Sequence, residues 1–270
     1  MDTVATQVLE PGIVEVRMQR PECLNALNPA LIAQLLEAFR AVHADRSTRV
    51  VILRGAGTSF CAGADLQTVV EPGGIPGTAG MGQLGFVYKY QEYLAQLMLS
   101  IHECDKPVIA AIHGAAVGGG LGLALASDIR IASTQAKFGA VFIKTGLSAA
   151  DMGTSYFLPR LVGAGPAAEL MLTGRIFAAP EALALRMVTQ VVEPEALMDT
   201  ALALARSIAS NAEYGVWMTK KTLWANVDAP SLRHAMEMEN RTQVLGSFTG
   251  CMEAAMQAFA HKRPPVWQAL

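Results

Sequence analysis

The chain has 270 residues, of which 52% are hydrophobic and 16% charged, and its formal net charge is −2. This length suffices for one large domain with an extensive core, or for one domain with a smaller appendage. The near-neutral charge argues against nucleic acid as a partner, and the composition argues against a disordered tail.

The first two hundred residues predict strands that alternate with helices. The segment IVEVRM (13–18) alternates apolar and polar residues, and RVVILRG (49–55) is a continuous apolar run typical of a buried strand. Between them, apolar residues recur at helical spacing after a capping Asn28 and a first-turn Pro29. Three further strands are predicted in the segments 107–114, 126–133 and 188–193. This alternation predicts the α/β class.

The remainder of the chain predicts a loop and a helical part. Residues 71–86 are rich in glycine and proline, which is typical of a mobile loop; such a loop either covers a site or has no role. From about residue 195 the pattern is helical, so we predict an α/β core at 1–194 and a helical subdomain at 195–270. The methionines and alanines of this subdomain are typical of packing, and an oligomer interface would have a similar composition.

Cysteine usage and the N-terminal sequence indicate the compartment. The four cysteines are far apart and form no CxxC pair, which argues against a zinc site and predicts reduced thiols. The N-terminal sequence has no basic and apolar pattern of a secretion signal. We therefore expect a cytoplasmic protein that holds no metal.

An uncharged segment at 108–126 has nearly the length of a membrane-spanning helix. Its glycines would destabilise a helix by about 1 kcal/mol each relative to alanine, and His113 interrupts it. A buried strand, a glycine turn and a short core helix fit this composition better.

Two segments expose backbone where a ligand could approach. GAGTSFCAGADL (55–66) follows a predicted strand, and AAVGGGLG (115–122) lies between a strand and a helix. Small residues leave N–H groups unobstructed, and a helix N-terminus adds unpaired donors. Two such donors facing one oxygen would form an oxyanion hole for the enolate of a thioester. The alternative is that each glycine run is only a tight turn. Neither segment has the GxGxxG or GxxxxGK[ST] pattern of nucleotide-binding proteins.

These segments, together with RPECLNALN (20–28) and GPAAELMLTGRIFAAPEALALRMVTQVV (165–192), resemble the crotonase family of enoyl-CoA hydratases and isomerases. The resemblance extends over essentially the whole chain. It implies a spiral of ββα turns with a C-terminal helical part that serves oligomerisation and site closure, a trimer or a dimer of trimers, and an acyl-CoA thioester as ligand. No cofactor beyond the coenzyme A of the substrate is implied.

The resemblance also implies site residues. By position, Ala64 and Gly119 would donate the N–H groups of the oxyanion hole. The coenzyme A site would be formed by Cys23, Leu24, Ala26, Ala62, Asp65, Leu66 and Lys262. Asp65 could instead cap the following helix, and Lys262 could be a solvated side chain.

Two positions depart from the family pattern. Hydratases of this family use two glutamates for acid–base chemistry, and this chain has Gly122 and Phe142 at those positions. Asp151 lies nearby in GLSAADMGTSYFLPRLVG (146–163), which resembles a turn where dienoyl-CoA isomerases and aroyl-CoA dehalogenases place a functional aspartate. Asp151 is therefore the candidate acid/base, and the alternative is that it caps a helix starting at about Met152.

These observations favour an enzyme that moves a double bond through an enolate, because one acid supports proton abstraction and return more easily than addition of water. A hydratase with a non-standard acid/base, and an acyl-CoA-binding protein that has lost catalysis, remain as alternatives.

Overall fold

Two β-sheets carry the fold in the computed structural model, which describes residues 2–68 and 70–268. The strands are β1 (Val4–Glu10), β2 (Ile13–Met18), β3 (Val50–Gly55), β4 (Val108–Ile112), β5 (Ala115–Val117), β6 (Ile129–Ser133), β7 (Lys137–Gly139), β8 (Phe177–Ala178) and β9 (Gln190–Val192). The larger sheet has the order β1-β2-β3-β4-β6-β9, and the smaller one the order β5-β7-β8. Among the described strands of the larger sheet, only the β1/β2 pair is antiparallel.

Helices connect these strands and form the C-terminal part. They are α1 (Pro29–Ala44), α2 (Gln83–His102), α3 (Gly119–Ala126), α4 (Thr154–Val162), α5 (Ala164–Thr173), α6 (Ala179–Ala184), α7 (Leu197–Ala209), α8 (Glu213–Val227), α9 (Leu232–Gly246) and α10 (Cys251–Ala260). The predicted α/β class is thereby confirmed. The predicted loop at 71–86 is shorter than expected, because α2 already begins at Gln83.

Helix α1 follows directly from its sequence. The side chain of Asn28 accepts a hydrogen bond from the N–H of Leu31 at 2.9 Å, which satisfies one of the unpaired donors of the first turn. Pro29 follows at the position where the missing N–H of proline has no consequence. Buried residues recur along α1 at the spacing of one helical face. They are Leu31, Ile32, Leu35, Phe39 and Val42.

The larger sheet has a hydrophobic cluster on each face. On one face, α1, α2 and α3 contribute to the main core. On the other face, Ile52, Ile109 and Ile131 of the sheet pack against Leu197 and Ala201 of α7. Because both faces are covered, the parallel strands are almost entirely buried, as is usual for parallel sheets.

The predicted division of the chain at residue 195 stays a prediction. Helix α7 lies beyond this point in the sequence and packs on the sheet, whereas α8 packs against α9. In the described part of the chain, no helix combines the length and the apolar character that crossing a membrane requires. The uncharged segment 108–126 forms β4, β5 and the eight-residue α3, as expected.

We predict that Asn28→Ala lowers the free energy of unfolding by about 1 kcal/mol, because the first turn of α1 loses its side-chain cap. Asn28→Asp keeps an acceptor oxygen at this position and is the matched control, with a stability close to that of the unmodified protein. Urea denaturation of the three proteins measures the difference. An alanine variant as stable as the aspartate variant would contradict the assigned cap.

Candidate active site

A cleft of about 470 Å³ is bounded by the segment after β3, the N-terminus of α3 and the turn before α4. Its walls are mostly apolar, and they include Leu27, Leu66, Leu94, Val141 and Leu147. Two other depressions are larger, at about 630 and 590 Å³. They lie among α8, α9 and α10, and between α8 and the ends of α1 and α2, away from the glycine-rich segments. The cleft at the glycines is therefore the candidate site.

One edge of the cleft is an extended segment that pairs with Leu27. The N–H of Leu27 donates to the carbonyl of Gly63 at 2.7 Å, and the N–H of Asp65 donates to the carbonyl of Leu27 at 2.9 Å. Successive N–H groups of an extended segment point to opposite sides, so the N–H of Ala64 points away from Leu27. Ala64 lines the cleft, and its N–H donates to no acceptor among the described residues.

The facing edge is the N-terminus of α3. Gly118 precedes the helix with φ 54° and ψ −122°, a conformation that glycine adopts readily and other residues rarely do. Gly119 is the first helical residue and lines the cleft. Its N–H has no carbonyl one turn earlier in the helix to bond, and it lies at the positive end of the helix dipole.

Close main-chain contact holds the two edges together. A Cβ atom on Gly120 would lie 2.0 Å from the carbonyl oxygen of Cys61, and one on Gly63 would lie 3.4 Å from the nitrogen of Gly119. The N–H of Cys61 donates to the carbonyl of Ala115 at 2.8 Å. Only glycine at position 120 permits this approach, so the glycine run serves the contact between segments as well as the turn.

Cys61 contributes packing to this contact. The residue is fully buried, and burial raises the pKa of its thiol to about 12. The thiol therefore stays protonated at neutral pH, and a nucleophilic thiolate is not available at this position.

The space around Gly122 is filled by Met152. A Cβ atom on Gly122 would lie 2.9 Å from the carbonyl oxygen of Met152 and 3.0 Å from its Cβ atom. Met152 itself adopts a left-handed φ of 46°, which is uncommon for a residue with a side chain. Gly122, which the sequence resemblance aligns with a hydratase glutamate, therefore has no side chain, and a Cβ atom there would overlap Met152.

Asp151 precedes Met152 and lines the cleft. Its Oδ1 atom accepts hydrogen bonds from the N–H of Met152 at 2.7 Å and from Nε2 of Gln91 at 2.9 Å. Helix α4 begins three residues later at Thr154, with Gly153 at the N-cap position and no side-chain cap. The alternative that Asp151 caps this helix through its side chain is therefore wrong.

Among the described residues that line the cleft, Asp151 is the only one with a carboxyl group. Phe142, which the sequence resemblance aligns with the second hydratase glutamate, also lines the cleft and is half-buried. The described lining thus combines one carboxylate, two backbone N–H groups that have no acceptor among the described residues, and mostly apolar walls.

Asp65 is part of the support of the cleft. Its Oδ2 atom accepts a hydrogen bond from Arg20 at 2.9 Å, and it is not among the described residues that line the cleft. Burial raises the pKa of the Asp65 carboxyl, but hydrogen bonds from Arg20 and from residues 67 and 68 outweigh burial and hold the pKa below its ordinary value. Asp65 is therefore a carboxylate that links the segment after β3 to Arg20. Its side chain also accepts a hydrogen bond from the N–H of Gln67.

The other residues predicted for coenzyme A binding divide into two groups. Ala62 and Leu66 line the cleft. The described lining does not include Cys23, Leu24, Ala26 or Lys262. Leu24 is 43% exposed and lies beside the segment that carries Ala64, whereas Lys262 is an exposed residue just after α10. The roles of all these residues stay predictions.

One face of α2 forms a wall that the sequence reasoning missed. Val87, Tyr90, Gln91 and Leu94 line the cleft at the spacing of one helical face. Gln91 contributes the polar amide of this face. The helical spacing of these four residues was the feature of the sequence that could have indicated a cleft wall. Burial, and then the negative charge of Asp65, raises the pKa of the Tyr90 phenol, so this group keeps its proton at neutral pH.

A family model described as "Enoyl-CoA hydratase/isomerase" matches residues 9–269. The chain belongs to the enoyl-CoA hydratase/isomerase family. The resemblance identified in the sequence is confirmed, and with it the crotonase fold with a C-terminal helical region.

Named relatives include both hydratases and isomerases. The chain is 39% identical to the "Probable enoyl-CoA hydratase EchA12" of Mycobacterium tuberculosis, over 95% of this chain and 90% of the relative. It is 36% identical to the 1,2-epoxyphenylacetyl-CoA isomerase of Escherichia coli, over 95% of each. The crystal structure of a "probable enoyl-CoA hydratase/isomerase" from Mycobacterium abscessus has a TM-score of 0.92 and 36% identity, over 99% of both chains.

Membership in the enoyl-CoA hydratase/isomerase family makes this protein an enzyme of the lyase or isomerase type, and an acyl-CoA substrate fits the family. The family as a whole does not determine which reaction this member catalyses. That choice depends on the groups in its own cleft.

We predict that Gly122→Ala lowers the free energy of unfolding by about 1–3 kcal/mol, because the new methyl group overlaps Met152. Helix propensity alone would predict the opposite sign, by about 1 kcal/mol. Gly165→Ala in α5 is the matched control, since a Cβ atom there has nothing within 4 Å. Thermal or urea unfolding measures both variants. A Gly122→Ala protein at least as stable as the Gly165→Ala protein would contradict the packing of Met152 on α3.

Proposed function

We propose that this enzyme isomerises the double bond of an acyl-CoA thioester through an enolate, with Asp151 as the group that removes and returns the proton. The observation that carries the proposal is that Asp151 is the one carboxyl group among the described residues that line the cleft. The positions of the two hydratase glutamates hold Gly122 and Phe142, which cannot transfer a proton.

The thioester carbonyl oxygen would lie between the N–H groups of Ala64 and Gly119. Both residues line the cleft, and neither amide is consumed by the pairing of its own segment. Negative charge that develops on this oxygen would be stabilised by the two donors and by the N-terminus of α3. The donors are part of the main chain, so they need little reorganisation when the enolate forms.

A single carboxylate is sufficient for the proton transfers of a 3-enoyl thioester. Asp151 would take a proton from the α-carbon, and the electron pair of that C–H bond would form the dienolate. The protonated carboxyl group would then return the proton to the γ-carbon, which gives the conjugated 2-enoyl thioester. No atom is gained or lost, and no water enters the reaction.

Hydration would require the cleft to supply both a general base and a general acid. Water would have to be activated by a base on one side while an acid delivers a proton to the α-carbon. Asp151, as the one carboxyl group of the described lining, would have to serve both steps, and most of the neighbouring walls are apolar. The isomerase name of the Escherichia coli relative is compatible with our proposal, and the hydratase names of other relatives make hydration the reaction to test against it.

We predict that the enzyme converts 3-enoyl-CoA to 2-enoyl-CoA and that Asp151→Asn reduces kcat by at least about 10²-fold, because the amide cannot accept the α-proton. The assay compares 2-enoyl, 3-enoyl and dienoyl thioesters by chromatography of the products. Asp199→Asn, an exposed position on α7, is the control and should keep full activity.

Two results would overturn the proposal. Addition of water to 2-enoyl-CoA as the main reaction would make the enzyme a hydratase with a non-standard acid/base. Tight binding of the whole panel with no turnover would identify an acyl-CoA-binding protein instead.

A further inference from the structure

The two oxygens of Asp151 have different surroundings. Oδ1 accepts the N–H of Met152 at 2.7 Å and Nε2 of Gln91 at 2.9 Å, which occupies both of its lone pairs. No hydrogen bond between described residues reaches Oδ2. The carboxylate is therefore held by one oxygen, and the other keeps its lone pairs.

We propose that Gln91 is a positioning residue that fixes the Asp151 carboxylate so that Oδ2 is the oxygen that exchanges the substrate proton. This inference rests on the proposed function and adds a residue from a different part of the chain to it. Gln91 acts through Asp151, and no contact of Gln91 with the reacting carbon atoms is required.

The contact with Met152 alone leaves the carboxylate incompletely held. Asp151 and Met152 are adjacent in sequence, so this bond moves together with the turn that contains both. Gln91 belongs to α2, which is anchored in the main core by the buried side chains of Leu97, Met98 and Ile101. The hydrogen bond from Gln91 therefore links the carboxylate to an element that packs independently of the turn. A carboxyl group is planar, so fixing Oδ1 from two directions also fixes where Oδ2 points.

An amide suits this task better than a charged side chain. Its N–H₂ group donates to the carboxylate without placing a formal charge beside it. The side chain of Gln91 is exposed and that of Asp151 is partly exposed, so their hydrogen bond competes with water and contributes little to the stability of the fold. A positioning role therefore predicts a loss of activity without a loss of stability.

A double-mutant cycle tests the inference, with 3-hexenoyl-CoA as the probe and the ultraviolet absorbance of the conjugated product as the signal. The proteins are wild type, Gln91→Met, Asp151→Asn and the double variant. Methionine keeps the length and helix propensity of glutamine but cannot donate to Oδ1. Gln96→Met is the control, because Gln96 is an exposed glutamine of the same helix outside the described lining of the cleft.

We expect Gln91→Met to reduce kcat about tenfold through loss of alignment, while KM changes by less than about twofold and the unfolding midpoint stays unchanged. In the Asp151→Asn background the same substitution should have no further effect, since Gln91 acts only through the carboxylate. Gln91→Glu should reduce kcat at neutral pH more than Gln91→Met does, because it places a second carboxylate against Asp151.

The kcat values of the variants distinguish failure of this inference from failure of the proposed function. A large loss in Asp151→Asn with wild-type kcat in Gln91→Met would overturn the positioning role and leave the proposed function intact. An equal loss from Gln91→Met in both backgrounds would show that Gln91 acts independently of Asp151, which also overturns the inference. Wild-type activity in Asp151→Asn would overturn the proposed function itself.

Discussion

The close approach of two main-chain segments is the constraint on which the rest of this structure depends. The carbonyl of Cys61 lies so near Gly120 that a methyl group there would be 2.0 Å from the oxygen. This contact places Ala64 and Gly119 on facing edges of one cleft, each with an N–H that its own segment does not use. Both donors are backbone N–H groups on a frame formed by the main chain. Side chains alone therefore cannot produce this arrangement. The parallel strands and the N-terminus of α3 supply that frame, which explains why a buried sheet and a glycine run occur together in the sequence.

The same cleft is the basis of our proposal that this enzyme works differently from the hydratases with two glutamates. Met152, in a left-handed conformation, occupies the space beside Gly119 and Gly122 that a longer side chain on α3 would need. The absence of a side chain at Gly122 and the position of Met152 are therefore two aspects of one packing arrangement. The residue before Met152 is Asp151, so the turn that fills the hydratase position also presents a carboxylate to the cleft. One carboxyl group, mostly apolar walls and two backbone donors are the features that support our proposal of proton transfer within the substrate.

Much of the fold could be predicted from the sequence because its signals are local. The strand at 13–18 and the Asn28 cap of α1 occur where the patterns predicted them, since alternation and capping depend on neighbouring residues. The sequence indicated that the glycine segments expose backbone N–H groups. It could not predict the close contact of Gly120 with Cys61, because these residues are 59 positions apart in the chain. The partner of Asp65 is Arg20 and that of Asp151 is Gln91, and both pairs join distant parts of the chain. The helix-cap alternative for Asp151 was wrong because left-handed Met152 delays the start of α4 to Thr154.

The measurement that tests the central claim most directly is a crystal structure of the Asp151→Asn protein with a bound enoyl-CoA. We predict that the thioester carbonyl oxygen lies about 3 Å from the nitrogens of both Ala64 and Gly119, within the range of a hydrogen bond. A thioester bound elsewhere, or a carbonyl oxygen beyond the reach of either amide, would contradict the account.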